Sequence, residues 1–293
     1  MKRAALFLIP SVVLLGCERS GSPPAASSSP PSAAAPPSAS ARPNPVTGAL
    51  GEDEFKRLHE LKGDAAPAAR GVPIELEGGS KSYLSLPPNA KAPLPGLIVI
   101  HEWWGLNEHI KHYADRFAAD GYAAMAVDLY AGKIATSPDE AMKLVKAVDD
   151  AAALKTLQAA YVTLGSDPRV QATRRGSIGW CFGGKWSLNL ALAEPGLNAA
   201  VVYYGHVPTD AKTLASLKAP LLAIFGERDQ SIPLDTVLTF EAALKQNGAQ
   251  ARVLTYDAGH AFANPSGARY DEKAATAAWA ETQAFLAKKL KGG

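Results

Sequence analysis

Short apolar runs alternate with longer amphipathic segments along most of the chain, and this alternation constrains the fold more than any other feature. Residues 95–101 form a continuous apolar run, which is typical of a strand buried on both faces. Further strands are predicted at 122–130, 174–180, 199–204, 219–225 and 251–256, after a glycine-turn hairpin at 73–86. Helices are predicted at 107–120, 137–164, 185–193, 233–246 and 271–289. This order indicates an α/β fold with a mostly parallel, doubly wound sheet covered by helices on both faces.

Polar residues stand at the ends of several predicted strands. In sheets of this kind, chemistry collects at the carboxyl ends of the strands, so these residues are the first candidates for a site. They are His101, Glu102, Asp128, Cys181, His206, Asp229 and His260.

The segment 179–184, Gly-Trp-Cys-Phe-Gly-Gly, follows a predicted strand and leads into a helical pattern. Glycines two residues before and after Cys181 are typical of a nucleophile elbow, where a strand turns sharply into a helix and the backbone is crowded. The alternative is a tight turn that holds an inert, buried cysteine, since free cysteine often serves as a small apolar core residue.

The order of the other polar residues favours the elbow. Asp229 and His260 each lie in a loop after a predicted strand, which gives the order nucleophile, acid, histidine found in α/β-hydrolases. A cysteine needs a base to become a thiolate near neutral pH; histidine supplies it, and the acid fixes the tautomer. Glu227 and Asp257 are less well-placed alternatives to Asp229.

Five motifs, which follow one another along the chain in the family's order, resemble the dienelactone hydrolase family over residues 72–291. They are Gly-Trp-Cys-Phe-Gly-Gly at 179–184, His-Glu-Trp-Trp-Gly-Leu-Asn at 101–107, Asp-Leu-Tyr at 128–130, Tyr-Tyr-Gly at 203–205 and Gly-His-Ala-Phe at 259–262. The resemblance implies an α/β-hydrolase fold and an enzyme that cleaves small esters or lactones through an acyl-cysteine.

The resemblance also assigns roles to individual residues. It makes Cys181 the nucleophile, His260 the base and acid, and Asp229 the residue that orients the histidine. It implies that Glu102 contacts the nucleophile in the resting enzyme and helps to activate it when substrate arrives. The backbone amides of the oxyanion hole map onto Trp103 and Phe182.

Two positions bear on the substrate. Members of the family specific for dienelactone carry an arginine shortly after the catalytic histidine, and this chain has Asn264 there. Lys133 is a candidate counterpart of a second basic residue that follows the Asp-Leu-Tyr motif. We therefore predict a small ester or lactone substrate without committing to dienelactone. The remaining candidates for substrate contact are Trp104, Tyr130 and Tyr204, which would otherwise fill the end of the sheet.

The N-terminus is predicted to be a targeting segment. Lys2 and Arg3 precede an apolar stretch at 4–15, and Leu-Leu-Gly-Cys at 14–17 resembles the lipobox of bacterial lipoproteins. Residues 1–16 are then a signal peptide, and Cys17 carries the lipid that binds the protein to the membrane; the alternatives are a plain secretory signal and an uncleaved anchor. The same resemblance implies the outer membrane when the residue after the cysteine is not aspartate, and here that residue is Glu18, so the protein is expected to face the periplasm.

Three further regions follow from composition. Residues 17–50 are rich in Ser, Pro and Ala and are predicted to form a disordered tether. Residues 51–71 contain a short amphipathic helix and a linker, and residues 72–293 form the catalytic domain, predicted to be a monomer.

Other functions are weighed against this prediction. The net charge of +2 and the lack of a basic stripe argue against nucleic-acid binding. We predict no cofactor and no metal: His109 and His112 are expected on a solvated helix face, and His101 and Asp128 in structural roles. The rivals are a thiol-based redox or stress protein that uses Cys181 as its sensor, and a non-catalytic binding module on a hydrolase scaffold.

Overall fold

The structure is a computed structural model that describes residues 69–292. The predicted signal peptide, the predicted lipidation site Cys17, the predicted tether and most of the 51–71 segment lie outside the described residues. Within the described part, no helix has the length and apolar character needed to cross a membrane.

Eight strands and seven helices form the described part of the chain. The strands are β1 (Val72–Glu75), β2 (Lys81–Ser85), β3 (Gly96–Ile100), β4 (Ala123–Val127), β5 (Arg175–Trp180), β6 (Ala199–Tyr203), β7 (Leu221–Gly226) and β8 (Ala251–Tyr256). The helices are α1 (Glu108–Ala119), α2 (Pro138–Ala147), α3 (Asp150–Ser166), α4 (Phe182–Ala193), α5 (Ala211–Leu214), α6 (Leu234–Gln246) and α7 (Glu272–Leu286). A π-helical turn at Ala287–Lys291 continues α7.

The strands form one sheet in the order β1-β2-β4-β3-β5-β6-β7-β8. The hairpin β1–β2 and the β2–β4 pair are antiparallel, and every pair from β4 through β8 is parallel. The prediction of an α/β-hydrolase fold with a mostly parallel sheet is confirmed. The carboxyl ends of β3 to β8 therefore meet at one edge, where the polar residues named above collect.

The core lies on both faces of the sheet, because consecutive residues of a strand point to opposite sides. In β3, Ile98 and Ile100 pack into one apolar cluster, together with side chains from α3, α4 and α6. Leu97 and Val99 pack into a second cluster, with side chains from α1 and α7. A strand buried on both faces must be apolar throughout, which explains the continuous run in the sequence.

The prediction of a single helix at 137–164 is wrong, because the structure has two helices there, α2 and α3. Asp149 is extended and its Oδ1 accepts a hydrogen bond from the Ala152 amide at 2.8 Å, so it caps a new helix. Val148, also extended, ends α2. The break leaves α2 as a separate element.

Two smaller expectations also fail. The elbow helix α4 begins at Phe182, directly after the cysteine, and not at 185. His112 lies on the buried side of α1 and is 2% exposed, so the solvated helix face predicted for it is wrong.

Candidate active site

Cys181 occupies a strained turn between β5 and α4. Its φ of 54° and ψ of −115° lie in a region that residues with side chains rarely adopt. A Cβ on Gly179 would lie 2.1 Å from the Gly183 carbonyl oxygen, and one on Gly183 would lie 2.3 Å from the Ile100 oxygen. The flanking glycines are therefore required by close backbone contact, and the turn has the geometry of a nucleophile elbow.

The structure brings Cys181, His260 and Asp229 together in one hydrogen-bonded chain. His260 Nε2 lies 3.2 Å from Cys181 Sγ, and His260 Nδ1 lies 2.7 Å from Asp229 Oδ2. The other carboxylate oxygen of Asp229 accepts the amides of Ser231 and Ile232 at 2.7 and 3.1 Å. Burial opposes the charge on Asp229, yet the hydrogen bonds from His260 and these amides hold its pKa below the ordinary value. An ionised Asp229 keeps the proton of the neutral imidazole on Nδ1 and leaves Nε2 as an acceptor facing the thiol.

The environment of Cys181 favours the thiol in the resting state. Burial raises the pKa of Cys181 to about 12, and the negative charge of Glu102 contributes to the increase. The amide of Phe182, at the first turn of α4, opposes this increase. A proton must therefore leave the sulfur when a substrate is attacked.

Glu102 follows the end of β3, near Cys181 and His260, and is 4% exposed. Its Oε2 accepts a hydrogen bond of 2.5 Å from the side-chain amide of Asn264. Burial raises the pKa of Glu102 to about 7, against the opposing effects of Asn264, His260 and Arg269. A carboxyl group with this pKa exchanges a proton readily near neutral pH.

His101 connects the ends of β3 and β4 beneath the site. The Leu129 amide donates to its Nε2 at 3.1 Å, so Nε2 carries no proton, and its Nδ1 donates to the Glu102 carbonyl oxygen at 2.6 Å. Complete burial lowers the pKa of His101 and keeps the ring neutral. Asp128 accepts the amides of Tyr130 and Gly132. Both residues make the structural contacts that the sequence predicts for them.

A cavity of about 670 Å³ opens over the cysteine. Strand-end residues Glu102, Trp103, Trp104, Cys181, Phe182 and His260 line it. The rest of its lining comes from α2 and the segment after it, from the first residue of α3, from α4 and from loops. These residues are Met142, Val145, Val148, Asp150, Lys185, His206, Ser231, Ala261, Asn264, Gly267, Ala268 and Arg269. The volume is in the range of ordinary small-molecule sites.

Comparison with known proteins gives a consistent result. Residues 81–290 match the model of the Dienelactone hydrolase family. "Protein usf" of Aquifex pyrophilus is 35% identical over 228 residues, which cover 74% of this chain and 97% of that protein. A protein of Escherichia coli strain K12 named "Putative carboxymethylenebutenolidase" is 34% identical, with 68% of this chain and 79% of that protein covered.

A solved structure agrees with the sequence relatives. The crystal structure of a "Putative Dienelactone Hydrolase" from Klebsiella pneumoniae subsp. pneumoniae superimposes with a TM-score of 0.69 at 32% identity. The alignment covers 76% of this chain and all of that one. The chain belongs to the dienelactone hydrolase family. It is a dienelactone hydrolase-like hydrolase, and the predicted enzyme class is confirmed at that level.

The predicted substrate contacts of this dienelactone hydrolase-like protein divide into two groups. Trp104 lines the cavity, as do Trp103 and Phe182, the residues predicted for the oxyanion hole. Tyr130 and Tyr204 are buried at the end of the sheet and do not line the cavity; Tyr130 contacts the rings of His101 and Phe182, and Tyr204 contacts that of His260. They fill the sheet end, which is the alternative given above.

Lys133 is not part of the site. It lines two separate surface pockets near the β1–β2 hairpin, so its position does not support contact with a substrate in the cavity. Charged residues that the sequence did not single out, Lys185 and Arg269, line the cavity instead. Asn264, at the position where an arginine is expected in dienelactone-specific members of the family, donates a hydrogen bond to Glu102.

Proposed function

We propose that this chain hydrolyses small esters or lactones through an acyl-cysteine intermediate on Cys181. The observation that carries the proposal is the chain of contacts from Cys181 Sγ through His260 to Asp229, on a strained elbow at the cavity. The intact chain of contacts and the family's hydrolase chemistry favour catalysis over a non-catalytic binding module. The redox rival lacks a resolving partner, since the sequence has only two cysteines and Cys17 is the other.

Acylation follows from the positions of these groups. His260 Nε2 accepts the thiol proton while Sγ forms a bond to the carbonyl carbon of the substrate. The carbonyl oxygen becomes an oxyanion, and we assign its stabilisation to the backbone amides of Trp103 and Phe182, as the resemblance implies. The bond to the leaving oxygen then breaks as His260 returns the proton to that oxygen. In a lactone, the new hydroxyl remains attached to the acyl group.

Deacylation uses the same residues in reverse. A water molecule gives its proton to His260 Nε2 and adds to the carbonyl carbon of the acyl-cysteine. The carbon–sulfur bond breaks, the carboxylic acid leaves, and the proton on His260 returns to the sulfur. Asp229 stabilises the imidazolium that forms in each half of the cycle.

Trapping of the acyl-enzyme tests this function. We expect that exposure to a mixture of lactones and esters, followed by acid quenching, adds the mass of one acyl group to the peptide that carries Cys181. The adduct should be absent after prior alkylation of the thiol. Turnover without an adduct on Cys181 would contradict the mechanism. Consumption of peroxide at Cys181, with no ester cleavage, would favour the redox rival.

We also propose that Cys17 is lipidated and holds the enzyme at the cell envelope, in the outer membrane and facing the periplasm. Support comes from the sequence alone, from Lys2, Arg3 and the Leu-Leu-Gly-Cys segment at 14–17. We expect Cys17→Ser to move the protein from the membrane pellet to the soluble fraction. A Ser20→Ala control should stay in the pellet. Membrane association that survives Cys17→Ser would contradict lipidation.

A further inference from the structure

The helix α2 forms an apolar wall of the cavity that the sequence did not predict. Met142 and Val145 of α2, and Val148 just after it, line the cavity. We call these three residues the α2 wall. Ala141 is the single buried residue among the ten of α2, and Met142 is 44% exposed. An exposed methionine leaves apolar surface in contact with water, which is unfavourable in free energy. A ligand that covers this surface removes it from water and gains binding free energy.

The α2 wall lies across the cavity from the catalytic histidine. Val145 and Val148 pack against the cluster that contains Phe182 and covers one face of the sheet. Ala261, next to His260, packs against the cluster on the opposite face. The cavity at the sheet edge therefore has an apolar side and a histidine side.

The reaction determines which part of the substrate faces each side. In the proposed function, His260 returns a proton to the leaving oxygen, so the leaving alcohol lies on the histidine side. Sγ and the oxyanion amides hold the carbonyl carbon between the two sides, and the acyl chain extends away from His260. It extends toward the α2 wall.

The charged residues of the cavity are consistent with this arrangement. Arg269 belongs to the loop that follows His260, on the histidine side. Lys185 is paired at 3.4 Å with Asp150, two residues after Val148, so the positive charge that borders the α2 wall is balanced by a partner. The α2 wall itself carries no charged side chain.

We propose that the site is specific for esters with a bulky apolar acyl group, an alkyl chain of medium length or an aromatic ring, held against Met142, Val145 and Val148. This inference rests on the proposed function and specifies its substrate class. A cavity of about 670 Å³ is large enough for such an acyl group together with its alcohol.

A series of p-nitrophenyl esters tests the proposal, because the leaving group stays constant while the acyl chain grows. We expect kcat/KM to rise at least about tenfold from acetate to hexanoate, since each buried methylene contributes to binding in the transition state. Benzoate should also exceed acetate. Met142→Ser should reduce the ratio of hexanoate to acetate by about threefold or more, and Val145→Ser should act in the same direction.

The matched control is Leu238→Ser. Leu238 is 52% exposed on α6 and lies outside the cavity, so this variant should leave the ratio unchanged. Met142 is exposed enough that its variant should keep the wild-type melting temperature. A ratio near one in the wild type, or a ratio that Met142→Ser does not lower, would overturn the specificity. Turnover of acetate that depends on Cys181 would then leave the proposed function standing, whereas failure to cleave any ester would contradict both.

Discussion

Replacing Cys181 with alanine is expected to lower kcat/KM for ester hydrolysis by a factor on the order of 10⁴ or more. The variant lacks the atom that forms the covalent bond, and neither His260 nor Asp229 is positioned to take over that role. The fold should persist, because the backbone amide of residue 181 donates to the Tyr203 carbonyl oxygen at 2.9 Å and the side chain is not required for this contact. Steady-state kinetics and a melting curve measured together check both statements.

Cys181→Ser is the matched variant for this experiment. It replaces the thiol at the elbow with a hydroxyl and leaves the backbone unchanged, so we expect a rate between those of the alanine variant and the wild type. A serine hydroxyl is a weaker nucleophile than a thiolate but accepts the same help from His260. Ester turnover by Cys181→Ala near the wild-type rate would remove Cys181 from the mechanism.

Replacing Glu102 with glutamine is expected to lower kcat/KM by about 10²-fold at pH 8 and to remove part of its pH dependence. With a pKa of about 7, Glu102 gains its charge as the pH rises through neutrality, and the charged carboxylate attracts His260 and so stabilises the imidazolium that forms when His260 accepts the thiol proton. The wild-type kcat/KM should therefore rise across this range, and the glutamine variant should lose that rise. A pH profile of kcat/KM for both proteins makes the comparison.

Loss of stability does not account for this expected loss of rate. Because burial raises the pKa of Glu102, the folded state holds the proton more tightly than the unfolded state does. The contribution of this group to stability is complete below 4.5, its ordinary pKa, and is lost as the pH rises through about 7. Glutamine is neutral at every pH, so Glu102→Gln should fold at least as well as the wild type at pH 8. The control is Glu108→Gln, an exposed residue of α1 paired with Lys111, which should keep the wild-type rate and profile. A Glu102→Gln rate equal to that of the wild type would exclude the carboxylate from catalysis.

The sequence predicts most of the sheet and the central residues of the candidate site, for a physical reason. A strand buried on both faces must be apolar, and the residue after it must lie at the carboxyl edge, so strand ends place Glu102, Asp229 and His260 without any knowledge of contacts. The elbow is equally visible, because close backbone contact around Cys181 tolerates only glycine at 179 and 183.

The parts that the sequence does not predict depend on competition between local signals or on tertiary contact. The apolar periodicity of 137–164 favours one helix, but the side chain of Asp149 caps the start of a second helix, and the chain therefore breaks at this residue. That break gives α2 its position at the cavity, and no motif marks Met142 as a cavity residue. Lys133 follows the Asp-Leu-Tyr motif in sequence, yet it lies elsewhere. His112 stands in a polar stretch of the sequence, but it lies on the buried side of α1 and is 2% exposed.

The crowded backbone around the elbow has an evolutionary consequence. A Cβ at 179 or 183 would collide with a carbonyl oxygen, so a substitution at either position would force the backbone of the elbow to move. The side chain at 181 lines the cavity, and replacing its sulfur with oxygen requires no change in the backbone. A single nucleotide change from cysteine to serine can therefore alter the reactivity of this enzyme while its scaffold stays fixed.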